Sequence, residues 1–209
     1  MKDWDAIYRE RGMVQKNPSE QAIEAIKFFK EKNLKKILDL GCGTGRHTEL
    51  LTKENFEVFG CDNSKSALDF IKEKIPLAKV ELGDMVDLPY EDNFFDGILC
   101  YQVIQHGKTK TVKKAISEIH RTLKKGGYLF LVVISTKHPK FQTGKEIEPN
   151  TKINTADIDG DIPHHFFSKE DMTEFFKDFK IINLTHFETK SEVDNSKNSA
   201  SWVLYAERV

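Results

Sequence analysis

Short apolar runs alternate with amphipathic segments along the first two thirds of the sequence. The runs have the length of buried strands, and the segments between them, most clearly 110–124, carry apolar residues at helical spacing. Parallel strands that are joined through helices form a sheet that is covered on both faces. The pattern therefore predicts an α/β fold, with a Rossmann-like, doubly wound, mostly parallel sheet and helices on both faces. The strands predicted in this part are 36–40, 57–61, 79–82, 95–101 and 128–134.

The last third of the sequence departs from this alternation. Residues 135–167 are polar and are interrupted by prolines and glycines, so that an irregular segment is expected there. A start typical of a capped helix follows at Ser168, and the Phe-rich helix is predicted to reach Asp178. An antiparallel hairpin completes a predicted seven-stranded sheet. Its strands are 180–187 and 201–207, and its polar turn is 189–198.

Charge and composition exclude several classes of protein. A formal net charge of −1 and a pI near 6.7 give no overall basic field for binding nucleic acid. Cys42, Cys61 and Cys100 are too few and too widely spaced for a disulfide framework or a zinc ribbon. The first residues form no apolar leader, and no run approaches the roughly 18 apolar residues of a membrane span. We therefore expect a cytoplasmic protein without a membrane partner.

The strongest motif is a glycine cluster that directly follows the first predicted strand. Gly41, Gly43 and Gly45 alternate with Cys42 and Thr44. Glycine allows a backbone to approach a ligand closely and to adopt conformations that a Cβ atom would forbid. The helix that starts next offers unpaired N–H groups to a carboxylate or a phosphate. The cluster therefore predicts a ligand-binding turn between a strand and a helix.

Three residues around this turn narrow the choice of ligand. Arg46 stands where a dinucleotide-binding fold has its third glycine. Asp39 precedes the loop, where a carboxylate suits an ammonium group and would repel a pyrophosphate. Asp62 ends the second strand, where a carboxylate accepts both hydroxyls of a ribose, although it could instead cap the next helix together with Asn63 or Ser64. The combination disfavours NAD, and a Walker loop is excluded because no Gly-Lys-Ser/Thr follows.

The sequence from about residue 35 to 134 resembles the class I S-adenosylmethionine-dependent methyltransferases, most nearly methyltransferase types 11 and 25. Besides the glycine loop, three further motifs stand in the family's order, and the third departs from the family pattern because Lys125 replaces the usual proline. The motifs are Gly83-Asp84-Met85 after the third strand, Asp87-Leu88-Pro89-Tyr90 with Phe94-Phe95-Asp96 before the fourth, and Leu123-Lys124-Lys125-Gly126-Gly127-Tyr128-Leu129 before the fifth.

The resemblance implies that S-adenosylmethionine is the cofactor and assigns roles to individual residues. The glycine loop would hold the methionine moiety, Asp62 the ribose, and Asp84 with the backbone N–H of Met85 the adenine edge. No metal ligand is implied. The cofactor-binding residues expected from the resemblance are Tyr8, Asp39, Gly41, Cys42, Gly43, Gly45, Asp62, Asn63, Asp84, Met85 and Tyr101.

Two histidines are candidates for a catalytic role. In the family fold the segment after the fourth strand faces the reactive end of the cofactor, and His106 is the best candidate there for a base or an acceptor-orienting group. A histidine at this place also resembles a family position that only packs under the cofactor. His165 is the second candidate, since the irregular segment can hang over the acceptor pocket. Adjacent side chains in an extended chain point in opposite directions, so only one of His164 and His165 is expected to face inward.

The N-terminal segment is similar to the lid of the thiopurine and tellurite-resistance type of methyltransferase, because Trp4 and Tyr8 share a short predicted helix. Packing of that helix on the body of the fold is an equally good interpretation. Residues 1–209 are interpreted as a single methyltransferase domain. Its parts are an N-terminal helical lid region (1–34), a cofactor-binding core (35–134), an irregular substrate-side insertion (135–167) and a C-terminal helix and hairpin (168–209).

Three hypotheses for the function remain open. The first is a methyltransferase that acts on a small molecule, since a single domain without a basic tail is expected. The second is a methyltransferase that modifies tRNA, because lysines cluster near the predicted helix 110–124, although such lysines are usually a solvated helix face. The third is a catalytically silent subunit or sensor that binds S-adenosylmethionine. An NAD-dependent oxidoreductase is disfavoured by Arg46.

Overall fold

The computed structural model describes residues 4–12, 16–154, 160–190 and 198–209. The helices are α1 (Trp4–Arg11), α2 (Glu20–Glu31), α3 (Arg46–Lys53), α4 (Lys65–Lys74), α5 (Thr109–Thr122) and α6 (Lys169–Phe175). The strands are β1 (Lys36–Leu40), β2 (Glu57–Asp62), β3 (Lys79–Leu82), β4 (Phe95–Tyr101), β5 (Leu123–Ile134), β6 (Lys145–Glu148), β7 (Thr151–Ile153), β8 (His164–His165), β9 (Phe179–Lys190) and β10 (Asn198–Arg208).

Seven of these strands form one sheet in the order β3-β2-β1-β4-β5-β10-β9. The first five strands of this order are parallel, and β10 runs antiparallel to both β5 and β9. The predicted fold class, a doubly wound and mostly parallel sheet with a C-terminal antiparallel hairpin, is confirmed. The direction in which successive strands are added to the sheet reverses between β1 and β4. In open α/β sheets, ligands bind in the crevice at the carboxyl ends of the two strands where this reversal occurs.

The sheet is buried on both faces, as its apolar strands predict. Along β5, Leu129, Leu131 and Val133 belong to one apolar cluster, whereas Phe130 and Val132 belong to a second cluster on the opposite face. This division follows from the two-residue period of a strand. Buried side chains of α5 and α6 complete the first cluster, and those of α2, α3 and α4 complete the second.

A buried ion pair fixes the segment that leads into β4. Glu118 on α5 accepts a hydrogen bond from Arg121 (2.7 Å) and another from the backbone N–H of Leu88 (3.0 Å). The Arg121 guanidinium also donates to the carbonyl oxygens of Leu88 and Tyr90. Arg121 holds the pKa of Glu118 down to about 2. The motif between β3 and β4 is therefore held to α5 by charge-assisted hydrogen bonds, which are stronger than neutral ones.

The insertion at 135–167 is more regular than expected. It contains a 3₁₀ helix, Pro139–Gln142, and a three-stranded antiparallel sheet in the order β6-β7-β8. These strands have only two to four residues, so no alternating pattern was long enough to reveal them. Residues 155–159 of this predicted segment lie outside the described residues.

Several predicted boundaries are corrected by the structure. The helix after Ser168 ends at Phe175 and not at Asp178, and β5 begins at Leu123 and not at Tyr128 because Leu123 already pairs with Phe95. The hairpin strands are longer than predicted at both ends. Most of the predicted turn, residues 191–197, lies outside the described part of the chain.

Within the described ranges, no helix has both the length and the apolar character that crossing a membrane requires.

We expect the replacement Phe130→Ala to lower the free energy of unfolding by about 3–5 kcal/mol, because the ring is fully buried between the sheet and α2. The matched control is Ile182→Ala on β9, where the side chain is 43% exposed and a change within about 0.5 kcal/mol is expected. Urea unfolding measures both. Equal losses for the two variants would contradict the position of this core.

Candidate functional site

The glycine loop lies at the carboxyl end of β1, as predicted. Gly41, Gly43 and Gly45 have φ angles of 68°, 51° and 89°, which lie in the left-handed region that favours glycine. The backbone N–H of Gly41 donates to the carbonyl oxygen of Cys61 (2.7 Å), which holds the loop against β2. A Cβ atom on Gly41 would collide with the side chain of Val103 in the segment after β4. The glycine loop, the end of β2 and the segment after β4 therefore lie close together.

Asp62 ties this loop to the next helix. Its Oδ2 accepts the backbone N–H of Gly43 (2.8 Å), and its Oδ1 accepts the backbone N–H of Ser64 (2.9 Å) at the start of α4. Burial raises the pKa of Asp62, while these N–H groups act in the opposite direction. Each carboxylate oxygen has two acceptor positions, more than the backbone N–H groups occupy, so that Asp62 can still accept a hydrogen bond from a ligand. This arrangement fits a ribose diol.

Asp39 lies beneath the loop and is 2% exposed. Its Oδ2 accepts a hydrogen bond from the hydroxyl of Thr48 on α3 (2.7 Å). Burial raises the pKa of Asp39 to about 7, and the Thr48 hydroxyl acts in the opposite direction. A buried carboxylate gains more from an ammonium group than an exposed one does. The site therefore fits the ammonium end of a methionine moiety.

Helix α1 lies across the glycine loop and is fixed to α4. Asp5 accepts hydrogen bonds from the hydroxyl of Ser64 (2.9 Å) and from the backbone N–H and hydroxyl of Ser66 (both 2.8 Å). The Ser66 contacts, first its N–H, lower the pKa of Asp5 to about 2. The Tyr8 hydroxyl lies so close to the loop that a Cβ atom on Gly43 would be 2.5 Å from it. Burial raises the pKa of Tyr8, so its hydroxyl keeps its proton.

A row of aromatic rings continues from α1 to the insertion. The ring of Trp4 is 5.0 Å from that of His106, and the ring of His106 is 4.8 Å from that of His164. Nδ1 of His106 lies 2.9 Å from the carbonyl oxygen of Val103. His106 follows Gln102 by four residues, and the φ of 57° at Gln102 places a non-glycine residue in the left-handed region right after β4. Such conformations are concentrated at functional sites.

The two adjacent histidines of the insertion point in opposite directions, as expected, and His164 is the one that meets His106. His165 is 1% exposed, and its Nδ1 lies 2.9 Å from the Thr151 hydroxyl. Its Nε2 lies 3.5 Å from a carboxylate oxygen of Asp171 on α6. This position favours His164 over His165 as the partner of His106, and the catalytic role of His165 stays a prediction.

The other predicted cofactor-binding residues occupy different positions along the carboxyl edge of the large sheet. Asp84 is exposed next to β2, where its carboxylate accepts the N–H of Val86 (3.1 Å), and Met85 packs on the core. Asn63 is exposed beside Asp62, and Cys42 is buried in the loop, where burial raises its pKa.

Tyr101 contacts the helices that follow and precede the glycine loop. Its hydroxyl donates to Gln21 on α2 (3.3 Å), and its ring contacts His47 and the Arg46 guanidinium on α3. The structure thus brings Tyr101 onto the face covered by α2 and α3, whereas Tyr8 reaches Gly43. The cofactor-binding roles of both residues stay predictions.

Sequence analysis missed Asp5 and Thr48 as parts of the site, and it named His165 and not His164 as the second catalytic candidate. Thr48 lies in the first turn of α3 outside any recognised motif, and Asp5 bonds to residues about 60 positions away, so that local patterns carry no signal for either. The described residues contain no cluster of three or more His, Cys, Asp or Glu side chains that could hold a metal ion.

Comparison with known proteins gives a family model that matches residues 38–131, and the description of that family is "Methyltransferase domain". The matched range begins within β1 and ends within β5, so that it includes the glycine loop, Asp62 and His106.

Three similar proteins cover different parts of the chain. An uncharacterised methyltransferase of Mycobacterium tuberculosis is 33% identical over 109 residues, which is 52% of this chain and 44% of that protein. The tRNA (carboxymethyluridine(34)-5-O)-methyltransferase of Arabidopsis thaliana is 36% identical over 98 residues, which is 46% of this chain and 23% of that protein. This chain therefore matches less than half of the length of either relative.

The third is a crystal structure of an S-adenosylmethionine-dependent methyltransferase from Methanosarcina mazei. It superposes with a TM-score of 0.73 at 21% identity, over 83% of this chain and 92% of that one. The similarity extends beyond the family-model range, and at this identity it establishes the common fold.

We expect the replacement Gly43→Ala to lower the free energy of unfolding more than Gly126→Ala. Both glycines have a positive φ, so that alanine brings a comparable backbone strain of roughly 1–2 kcal/mol at each. Gly126 has open space around its Cβ position, whereas Gly43 faces the Tyr8 hydroxyl. Urea unfolding measures the difference.

The double variant Gly43→Ala with Tyr8→Phe tests the cause of that difference. Removal of the hydroxyl is expected to recover part of the extra loss, because that oxygen is the nearest atom to the new methyl group. If Gly43→Ala and Gly126→Ala cost the same, α1 does not lie on the loop in solution.

We expect the stability of the protein to fall with rising pH because of Asp39. Its pKa is about 7 in the folded protein and near 3.8 in the unfolded chain. The stabilisation is therefore complete below about pH 4 and is lost as the pH rises through 7. Asp39→Asn, which keeps an oxygen for Thr48, is expected to flatten this dependence in urea unfolding between pH 5 and pH 8. Identical profiles for the two proteins would refute the raised pKa.

Proposed function

We propose that this chain is a class I S-adenosylmethionine-dependent methyltransferase that transfers a methyl group to a small-molecule acceptor, which its match to the methyltransferase domain family over residues 38–131 supports. S-adenosylmethionine is the cofactor of this family. When bound, it supplies a methyl group that its sulfonium has already activated for in-line displacement. The task of the protein is then to hold two molecules in reactive geometry and to exclude water.

The contact between Asp62 and the glycine loop is the observation that carries this proposal. The carboxylate is fixed by the N–H groups of Gly43 and Ser64, so that it is oriented before a ligand arrives. Preorganisation lowers the entropy cost of binding. Asp62 is the residue that would hold the ribose, the loop would hold the methionine moiety, and Asp39 would hold the ammonium group.

Helix α1 supports a role in enclosing the cofactor. Its Asp5 is bound to the start of α4, its Tyr8 lies on the loop, and its Trp4 reaches the segment after β4. A helix in this position covers the carboxyl edge of β1 and β4. Enclosure of that edge excludes water and strengthens the electrostatic interactions inside.

His106 is suited to remove a proton from an acceptor that arrives protonated. A carbonyl oxygen only accepts hydrogen bonds, so the contact with Val103 requires the proton of a neutral His106 ring to be on Nδ1. Nε2 is then the basic nitrogen of the ring. The adjacent rings of Trp4 and His164 restrict its orientation. This is the tautomer and the support that a general base needs.

The elements around the carboxyl edge of β1 and β4 favour a small acceptor over tRNA. The side toward α4 is covered by α1, and the side toward the insertion carries His164. Two of the three lysines of α5 make contacts within the protein, since Lys113 lies over the ring of Phe175 on α6 and Lys114 pairs with Glu118. A polynucleotide would need an open and basic surface.

A tRNA acceptor is the second candidate, because one relative is named for the methylation of a tRNA uridine. Binding to tRNA would fall steeply with salt, since phosphate contacts release counterions. A third candidate is a silent binding subunit, for which the cofactor site is intact but no acceptor increases turnover.

The decisive experiment is a calorimetric titration with S-adenosylmethionine, S-adenosylhomocysteine and NAD, followed by a turnover assay with panels of small acceptors and tRNA. We expect the two adenosyl ligands to bind and NAD not to bind. Asp62→Ala is expected to weaken adenosyl binding by about 1–3 kcal/mol, or roughly 5- to 150-fold, because a charged acceptor is lost.

The control for that variant is Asp69→Ala on α4, whose carboxylate is exposed and pairs with Lys65. It is expected to bind the adenosyl ligands like the wild type. Unchanged affinity in Asp62→Ala would refute the ribose site. Turnover that responds only to tRNA, with a steep salt dependence, would replace the small-molecule proposal by the second candidate.

A further inference from the structure

The insertion holds the short segment that carries His106 at both of its ends. At one end, the carbonyl oxygen of Gln105 accepts the backbone N–H of His165 (2.8 Å). At the other end, the backbone N–H and the hydroxyl of Thr109 both donate to Oε1 of Glu148, at 2.5 and 2.7 Å. Only three residues lie between these two contacts, and His106 is one of them. Its place in the fold is therefore set from both sides by one element.

Glu148 supplies a cap for α5 from a distant part of the chain. Within the described residues, Lys108, which precedes the helix, makes no capping hydrogen bond with its side chain. The first N–H groups of a helix have no partner inside it, and a negative charge is stabilising there. The contacts with Thr109, first its backbone N–H, lower the pKa of Glu148. The start of α5, and the chain just before it, therefore depend on where the insertion places this carboxylate.

His165 connects the two contacts through Thr151 on β7. Its Nδ1 lies 2.9 Å from the Thr151 hydroxyl oxygen, which also lies 3.3 Å from Oε1 of Glu148. On the other side of the ring, Nε2 faces a carboxylate oxygen of Asp171 at 3.5 Å, which is long for a hydrogen bond. A chain of polar contacts thus runs from α6 through the insertion to the start of α5. His165 is the member of this chain whose backbone also binds Gln105.

The ring of His165 is itself fixed by packing. The residue is 1% exposed, and its ring lies 4.8 Å from the ring of Phe167 and 5.8 Å from that of Phe175. A side chain enclosed in a closely packed interior has few orientations available. A hydroxyl donates one hydrogen bond and accepts others, so Thr151 can link two side chains at once. The orientation of His165 can therefore fix Thr151 and, through it, Glu148.

We propose that His165 is a positioning residue, which acts through Thr151 and Glu148 to set the place of His106 at the carboxyl edge of the large sheet. It holds the chain before and after His106 and acts on the reaction through that residue. A reacting group that is misplaced by about 1 Å can lower a rate roughly 100-fold, so such support has a direct effect on turnover. The inference rests on the proposed function, in which His106 removes a proton from the acceptor.

Two variants of Thr151 separate the role of its hydroxyl from that of its bulk. Thr151→Val keeps the shape and removes the hydroxyl, whereas Thr151→Ser keeps the hydroxyl and removes a methyl group. NMR signals of the His106 ring nitrogens are recorded for both without cofactor. We expect Thr151→Val to shift these signals and to speed amide exchange at Thr109 about tenfold, because Glu148 loses a hydrogen bond. Thr151→Ser is expected to match the wild type in both measurements.

Two variants of His165 repeat the comparison at the ring, in case the first pair does not fold. His165→Leu removes every polar atom of the ring, and His165→Asn keeps a donor near the position of Nδ1. We expect the leucine variant to shift the His106 signals and the asparagine variant to shift them less. The matched control is Thr173→Val on α6, whose hydroxyl donates to carbonyl oxygens of its own helix. Its His106 signals are expected to equal those of the wild type.

The proposal is overturned if Thr151→Val leaves the His106 signals and the exchange at Thr109 unchanged, or if Thr151→Ser alters them as much. In turnover assays, Thr151→Val is expected to lower kcat about tenfold while KM for S-adenosylmethionine stays within about twofold, as for a residue that acts on the chemical step. A raised KM with an unchanged kcat would contradict the positioning role. Absence of adenosyl binding in the wild type would refute the proposed function, and the NMR comparison would still decide whether the insertion positions His106.

Discussion

The rest of the site depends on the hydrogen bonds that the carboxylate of Asp62 accepts. It accepts one N–H from the glycine loop and one from the start of α4, so that the turn after β1 and the turn after β2 are fixed by one side chain. The second of these turns also binds α1, because the Ser64 hydroxyl donates to Asp5. Burial of a carboxylate is unfavourable unless donors surround it, and both donors come from the segments that the carboxylate orients. The glycine loop, α4 and α1 are therefore one connected unit.

The segment after β4 brings this unit to the insertion. Val103 contacts the glycine loop with its side chain and His106 with its carbonyl oxygen. His106 in turn lies between the ring of Trp4 and the ring of His164. The segment after β4 and the small sheet of the insertion are thus in direct contact. A change in the insertion would affect His106 through ring packing and through the bridge to His164.

The sheet could be predicted from the sequence because its strands are buried on both faces, which makes their apolar runs continuous and easy to delimit. The glycine loop and Asp62 could be placed because their roles depend on local order along the chain. Other features depend on distant contacts, and these the sequence did not reveal. Asp5 bonds to Ser64 and Ser66, about 60 positions away, and which of His164 and His165 contacts His106 is decided by the direction in which a two-residue strand turns its side chains. The contacts of Tyr101 with α2 and α3 likewise depend on packing between distant parts of the chain.

The order of strands has a consequence for how the chain folds during synthesis. β10, the last strand, lies between β5 and β9, although both of those strands are made before it. Until residues 198–208 have emerged from the ribosome, β5 has one edge without a partner, and β9 lacks the strand through which it joins the sheet. A nascent chain therefore exposes a strand edge that can pair with another chain, and chaperones that cover such edges would act on it at this stage. The sheet is complete only when β10 inserts between β5 and β9.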